Sequence, residues 1–342
     1  MSGNGLKKLA IILVTCNRDK IVDYFFECCA EGFLHNNIDI VIYDSSPENK
    51  TKLVTEKYIS KYPNIIYDRW DAKFDGFSLD SKVMDAMKKY ADFYDYLWVS
   101  RDGLIINIEN VINEINSAME SKKDFIVLDS LNYDCERPES KNYTDIDTLF
   151  KEQCAHMTQL GTCIINSNVL KNVLSTVSND EKSYSVYFPI ALFYYFADKQ
   201  TDVSFIAKKY WTVNKYALEE SFWVKNFMRQ WVKRWYEILN LLPSRYDAYK
   251  PTVVRVLNKE YKIFSIPFLK LVRINGGFNL LKVIRCHKYL KTVSNLPMWV
   301  FYLLAFFPRD KKSKLYGIDI EKYINRNKSE KLKDFTVKEV VK

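Results

Sequence analysis

Residues 9–18 read LAIILVTCNR, and this stretch decides the fold class. Six apolar residues follow one another without a polar break, and the run ends at Thr15 before Cys16, Asn17 and Arg18. A strand with one wet face alternates apolar and polar residues. An unbroken apolar run of this length belongs to a strand buried on both faces, as in a parallel sheet. The same grammar returns along the chain. IDIVIY at 38–43 leads into Asp44, Ser45 and Ser46, and YLWVS at 96–100 leads into Arg101, Asp102 and Gly103. Shorter strand-like runs lie at 64–67 and 125–128.

Helical spacing fills the intervals, over 21–31, 50–62, 80–90 and 108–119. In the third, Val83, Met84, Met87 and Tyr90 fall on one face. Strands alternating with helices predict an α/β domain with a mostly parallel sheet covered on both sides. Beyond residue 130 the regularity weakens. Residues 132–142 read as polar and turn-like, 162–165 as a strand, 167–177 and 186–197 as helices, and 203–207 and 211–213 as late strands. In such a sheet, ligands bind beyond the carboxyl ends of the strands. The candidate site is therefore the set of polar residues that follows each apolar run.

Composition narrows the function. The 342 residues carry 9 Gly, and neither G-x-G-x-x-G nor G-x-x-x-x-G-K-[ST] occurs, so neither glycine-rich phosphate loop is present. Seven cysteines, an odd number without a C-x-x-C pair, fit a reducing compartment better than a disulfide framework. Three scattered histidines do not outline a zinc site. The apolar run near the N-terminus is short and has no small-residue cleavage site after it, so it reads as a strand and not as a signal peptide.

Charge divides the chain. Residues 1–220 hold 25 Lys and Arg against 33 Asp and Glu, and residues 221–312 hold 18 against 4. The second stretch is also rich in Trp, Phe, Leu and Ile. Three regions are expected: a catalytic domain over 1–220, a helical basic-aromatic region over 221–312, and a charged tail over 313–342. In the second, Trp223, Phe227, Trp231 and Trp235 are spaced by four, beside Lys225, Arg229 and Lys233 at the same interval. On an α-helix this makes an aromatic ridge next to a basic one. The apolar window 296–307 is about a dozen residues, whereas a membrane span needs about 20. The expectation is docking on an anionic membrane surface without crossing it, which places the protein in the cytoplasm on the inner face of the cell membrane. Nucleic acid is the weaker alternative partner, because no binding motif is visible and residues 1–220 are acidic.

The order LVTCNR, IYDSS, a glycine-containing loop and WVSRDG resembles the inverting family-2 glycosyltransferases, which have the GT-A nucleotide-sugar-binding fold. The resemblance spans about residues 8–215 in order of elements. It implies transfer of a sugar from a nucleotide donor, a UDP-sugar by preference, to a saccharide or lipid-linked acceptor of the surface-glycan kind, with inversion. It places Thr15, Asn17 and Arg18 around base and ribose, Asp44 with Ser45 on the uracil or ribose, and Lys82 and Arg101 toward the donor phosphates. The family carries Asp-x-Asp where this chain has Ser100-Arg101-Asp102. Either Asp102 still holds Mn2+ or Mg2+, or Arg101 takes over part of the ion's charge. The catalytic base is expected at Asp180 or Glu181, with His156 as the outside candidate. Counting back from Ala197-Asp198-Lys199 would put the family's acidic pair at Phe188-Pro189, which cannot accept a proton. A catalytically inactive scaffold that supports another transferase is the competing reading.

Overall fold

The computed structural model describes residues 7–71, 79–131, 138–177, 187–217, 224 and 226–306. Two compact units are present. One comprises residues 1–220 and 237–253, the other 221–236 and 254–342.

The first unit is built on an eight-stranded sheet. Its first half is β1 (Lys7–Thr15), α1 (Asp19–His35), β2 (Asp39–Asp44), α2 (Lys50–Ile59), β3 (Ile65–Arg69), α3 (Leu79–Tyr90) and β4 (Tyr94–Arg101). After β5 (Leu104–Ile106) come α4 (Ile112–Glu120), β6 (Phe125–Leu128), β7 (Lys141–Tyr143), α5 (Ile146–Gln153), β8 (Cys163–Asn166), α6 (Ser167–Val177), α7 (Phe188–Tyr195), β9 (Val203–Ile206) and β10 (Trp211–Val213). The strand order is β3-β2-β1-β4-β8-β6-β9-β7, and β5 pairs with β10 in a separate ribbon. Six strands of the large sheet share one direction, and β7 and β8 run against it.

The apolar run of β1 is buried on both faces because helices cover both. Leu9, Ile11 and Leu13 join Ile40, Ile42 and Trp98 in the core under α1, where Phe25, Phe26 and Phe33 pack. On the opposite face α3 packs on β1 and β4, and α6 on β4. The expected α/β sheet with two helical layers is thus the fold observed.

Three elements were not legible in advance. β5 and β7 have three residues each, too few for a period to show. β7 falls inside the stretch read as a turn. α5 starts at Asp145, whose carboxylate accepts from the backbone N–H groups of Asp147 and Thr148 at 3.3 and 3.0 Å. Such an Asp cap was signal enough, but the helix is only eight residues long.

The second unit contains a π-helical segment (Met228–Arg234) and the helices α10 (Ile266–Ile274), α11 (Leu280–Arg285), α12 (His287–Val293) and α13 (Met298–Phe306). Two shorter-range helices, α8 (Trp235–Leu241) and α9 (Lys250–Tyr261), each cross between the units along the chain. The aromatic ridge requires correction here. Phe227 and Trp235 are fully buried, and Phe227 packs edge-on against Phe264 and Phe268. Trp231 is half-buried, and Trp223 lies outside the described residues. Two facts explain the failure. The i+5 bonding of a π-helix breaks the registry that puts residues four apart on one stripe, and Phe227 and Trp235 are used as core residues with Phe264, Phe278 and Phe301. Gly277 marks how tightly the core closes, since a Cβ there would come within 2.1 Å of the Val224 carbonyl.

Candidate active site

The parallel pairing of β2, β1 and β4 sets Thr15 beside Asp44 and Val14 beside Arg101. Three polar strand ends therefore meet at one edge of the sheet. The loop after β1 is stitched to both neighbours. The Asn17 backbone N–H donates to Ser46 Oγ at 2.7 Å, with Asn17 in the left-handed region at φ 55°. Asparagine is among the few residues that adopt this conformation at small cost. On the other side Thr15 Oγ1 donates to Asp102 Oδ2 at 2.7 Å, and Arg18 Nη1 donates to Asp102 Oδ1 at 2.8 Å. Asp102 is buried while Arg18 is partly exposed. The carboxylate is consequently spent on holding Thr15 and orienting a guanidinium that faces solvent.

Asp44 is fully buried. One oxygen accepts from the Ser46 N–H and hydroxyl at 2.9 and 2.5 Å, and the other accepts from Tyr67 Oη at 2.9 Å. Its action in this structure is to fasten the loop that carries Ser45. Burial, reinforced by that hydrogen bond, pushes the Tyr67 phenol up to about 12. Tyr67 has no counterpart in the sequence reading. It lies 23 residues from Asp44, at a strand end that ranked as minor.

Lys82, on α3, is buried beneath the loops. Its ammonium donates to the Thr15 carbonyl, and to Ser45 Oγ at 2.9 Å. Burial pushes it down to about 8 from 10.5, and Asp44, Cys16 and Asp102 oppose that shift. Arg101 is half-buried, with its guanidinium 5.5 Å from the centre of the Trp211 ring. Gly103 and Gly161 press on this edge. Gly161 has φ 104°, a Cβ there would lie 2.6 Å from Ser100 Oγ, and its carbonyl accepts from Trp98 Nε1 and Tyr210 Oη at 2.8 Å each.

A second cluster occupies the same edge. Leu97 and Phe125 both pair with Ile165, so they are level across the sheet. Further along, β4 ends at Arg101 and β6 is followed by Asp129. Ser130 Oγ lies 3.1 Å from His156 Nδ1, and Asp129 Oδ1 accepts from the Leu131 N–H at 2.9 Å. His156 thus lies at the end of β6, on the edge of the sheet where β4 also ends. Asp180 and Glu181 lie outside the described residues. Phe188 and Pro189 are buried at the start of α7 and offer no proton acceptor.

The described donors at these strand ends do not by themselves fit a divalent ion. Hard cations take several oxygen ligands. Here Asp102 already carries a guanidinium and a hydroxyl, and Asp44 a hydroxyl, a phenol and an N–H. Among the described residues no cluster of three or more His, Cys, Asp or Glu could hold a metal. A depression of about 310 Å3, lined by Lys8, Asp95, Tyr96 and Glu120, lies at the opposite edge, where β1 and β4 begin, and plays no part in this site.

No family model matches the chain, and no curated protein matches it. Solved structures do. The chain is similar to TarS 1–349 of S. aureus in complex with UDP-GlcNAc, at 16% identity and a TM-score of 0.52, over 94% of this chain and 91% of that one. The complex of TarS 1–349 with UDP gives the same identity and TM-score, over 93% and 88%. The chain has a glycosyltransferase fold. The GT-A arrangement implied by LVTCNR, IYDSS and SRDG is therefore the one the strands adopt.

Proposed function

We propose that the protein transfers a sugar from a UDP-sugar to a hydroxyl of a saccharide or lipid-linked saccharide, with inversion at the anomeric carbon. The observation that carries the reading is the convergence of Arg18 and Lys82 on the joined ends of β1, β2 and β4. A leaving diphosphate develops negative charge as its bond to the sugar breaks, and pre-placed cations stabilise that charge without reorganising. Arg18 is oriented by Asp102 and Lys82 by Thr15 and Ser45. In this reading they supply the positive charge, with Arg101 on the adjoining strand end, and no step passes through a metal. Thr15, Asn17 and Ser45 border the space for base and ribose. Asp44 acts as a positioning residue for Ser45.

Inversion by single displacement needs a base on the acceptor hydroxyl. The acceptor oxygen bonds to the anomeric carbon, the bond from that carbon to the diphosphate oxygen breaks, and the base takes the hydroxyl proton. We assign this role to His156. If Ser130 accepts from Nδ1–H, the lone pair sits on Nε2. The test combines calorimetric UDP binding with turnover of UDP-sugars. Arg18→Ala should weaken UDP binding by at least about tenfold, because a charge-assisted bond is lost. His156→Gln should leave UDP binding intact and lower turnover by about a hundredfold or more. Full turnover in His156→Gln, with loss in Asp180→Asn or Glu181→Gln, would move the base to that carboxylate.

An inactive scaffold is the second reading, favoured by the buried Phe188-Pro189 at the position the resemblance reserves for acids. UDP binding without turnover of any UDP-sugar, in the wild type, would establish it.

A further inference from the structure

The helix α13, MWVFYLLAF, is apolar around its whole circumference. Val300, Phe301, Leu304 and Ala305 are buried. Trp299, Leu303 and Phe306 recur at the i, i+4, i+7 interval and form the opposite stripe, with Trp299 65% and Phe306 72% exposed. An all-apolar helix is normally enclosed, or else in contact with lipid. α13 packs against α11, where Leu281 and Ile284 are also exposed. It is fixed to α12 by the His287–Tyr302 hydrogen bond at 2.9 Å. Large exposed apolar side chains thus gather on two packed helices of one unit, which marks an interaction surface and not scattered exposure.

Charge says what covers it. Residues 261–306 contain seven Lys and Arg and not one Asp or Glu. Arg285, which follows the exposed Ile284 on α11, is exposed, as are Lys288 and Lys291 on α12. A protein partner of ordinary composition would not require the complete exclusion of carboxylates. A surface of anionic headgroups over an apolar interior does, and Trp with Lys and Arg is the residue set that such an interface favours. No helix among the described residues is long and apolar enough to cross a membrane. The nine residues of α13 would reach only about 13 Å, against about 30 Å of hydrocarbon.

We propose that α11 and α13 form a monotopic docking face. Trp299, Leu303, Phe306, Leu281 and Ile284 insert into the headgroup boundary of an anionic bilayer, while Arg285, Lys288 and Lys291 bind its phosphates. This surface replaces the Trp231–Trp235 ridge as the site of insertion, and it does not depend on the nucleotide-site reading.

The experiment is co-sedimentation of the full chain with vesicles of phosphatidylcholine alone or with phosphatidylglycerol added. The wild type should bind only the anionic vesicles and lose binding by roughly tenfold or more when salt is raised from 0.05 to 0.5 M. Trp299→Ser/Leu303→Ser/Phe306→Ser and, separately, Leu281→Ser/Ile284→Ser should each cut partitioning by roughly tenfold or more. An unchanged far-ultraviolet circular dichroism spectrum and thermal transition show that the variants are folded, and the second variant serves if the first is not. Equal binding to neutral vesicles, no binding to either, or undiminished binding by both folded variants would overturn the proposal. So would a concentration-dependent dimer that the same substitutions dissolve, because the face would then belong to a second copy of the chain.

Discussion

Lys82 offers the sharpest test of the nucleotide site, because its burial gives binding a pH signature. The free protein releases this proton near pH 8, since desolvation outweighs the attraction of Asp44, Cys16 and Asp102. A diphosphate in contact with the ammonium adds negative charge and returns the group to its protonated form. UDP binding therefore takes up a proton wherever the free protein has lost it. With a free value of about 8, the protonated fraction falls from roughly three-quarters at pH 7.5 to a few per cent at pH 9.5, so the apparent affinity for UDP should drop by roughly 25-fold across that interval. Close to one proton per UDP should be absorbed at the upper end. Titration calorimetry in two buffers of different ionisation enthalpy measures both quantities. The measurement should be repeated in Cys16→Ser, which removes the thiol that donates to the Ser45 carbonyl. In Lys82→Met the profile should be flat. An affinity constant over this range, with no proton uptake, would refute the placement of Lys82 at the diphosphate. A pH dependence that survives in Lys82→Met would refute it equally.

The same residue affects stability without ligand. The unfolded chain holds the Lys82 proton up to about 10.5 and the folded chain only to about 8, so this group makes folding more favourable as pH rises between those values, read from urea midpoints. Chelation should leave any sugar transfer within about threefold of its starting rate, because the cations of the site are side chains. Activity abolished by EDTA and restored by Mn2+ would show that Asp102 does bind an ion. Gly161→Ala should destabilise by about 1–3 kcal/mol in the same urea assay, from φ 104° and the contact with Ser100 Oγ. Phe227→Ala should cost about 3–5 kcal/mol as a core truncation, whereas Trp299→Ser should stay within about 0.5 kcal/mol. Comparable losses in the two would contradict the burial that separates them.

How far the sequence is readable depends on the range of the interaction that decides each feature. β1, β2 and β4 are legible because burial on both faces writes an unbroken apolar run into consecutive residues. The polar ends Thr15–Arg18, Asp44–Ser46 and Arg101–Asp102 follow at once, since a strand's end and its contents are both local. What those residues do to one another is not local. Arg18 and Asp102 are 84 residues apart and Lys82 and Ser45 are 37 apart, and no spacing rule reports such pairings. Asp44 looks like a ligand-binding carboxylate in sequence, and only Tyr67 and Ser46 reveal that its lone pairs are already in use. In the second unit, the four-residue interval at 227–235 is a true regularity read on the wrong helix. The window 296–307 is legible as an interfacial or buried apolar helix, but not which stripe of it stays exposed, because both its faces are apolar and amphipathic contrast is the signal by which a sequence shows a surface.

The two carboxylates and the cations at this edge divide their work by depth. Asp44 and Asp102 are buried and satisfied by the protein's own donors, so neither presents a bare negative charge to a ligand. Arg18 and Arg101 are partly exposed, and Lys82 lies just below the loops. Of these five groups the two that reach solvent are therefore cations, although the acidic residues outnumber the basic ones over 1–220. A metal-dependent site needs the opposite arrangement, with carboxylates outermost to gather an ion that then meets the diphosphate. Ser100 in place of the first carboxylate of Asp-x-Asp, Arg101 at the middle position and Asp102 turned onto Arg18 convert one arrangement into the other with the strand geometry unchanged. The inward carboxylate is then a positioning group. It holds Arg18 in one orientation before the donor arrives, which lowers the entropy lost when the guanidinium engages a phosphate. On this reading the departure from Asp-x-Asp redistributes charge at the proposed nucleotide-diphosphate site, and the scaffold reading rests on Phe188-Pro189, where the resemblance reserves the acids.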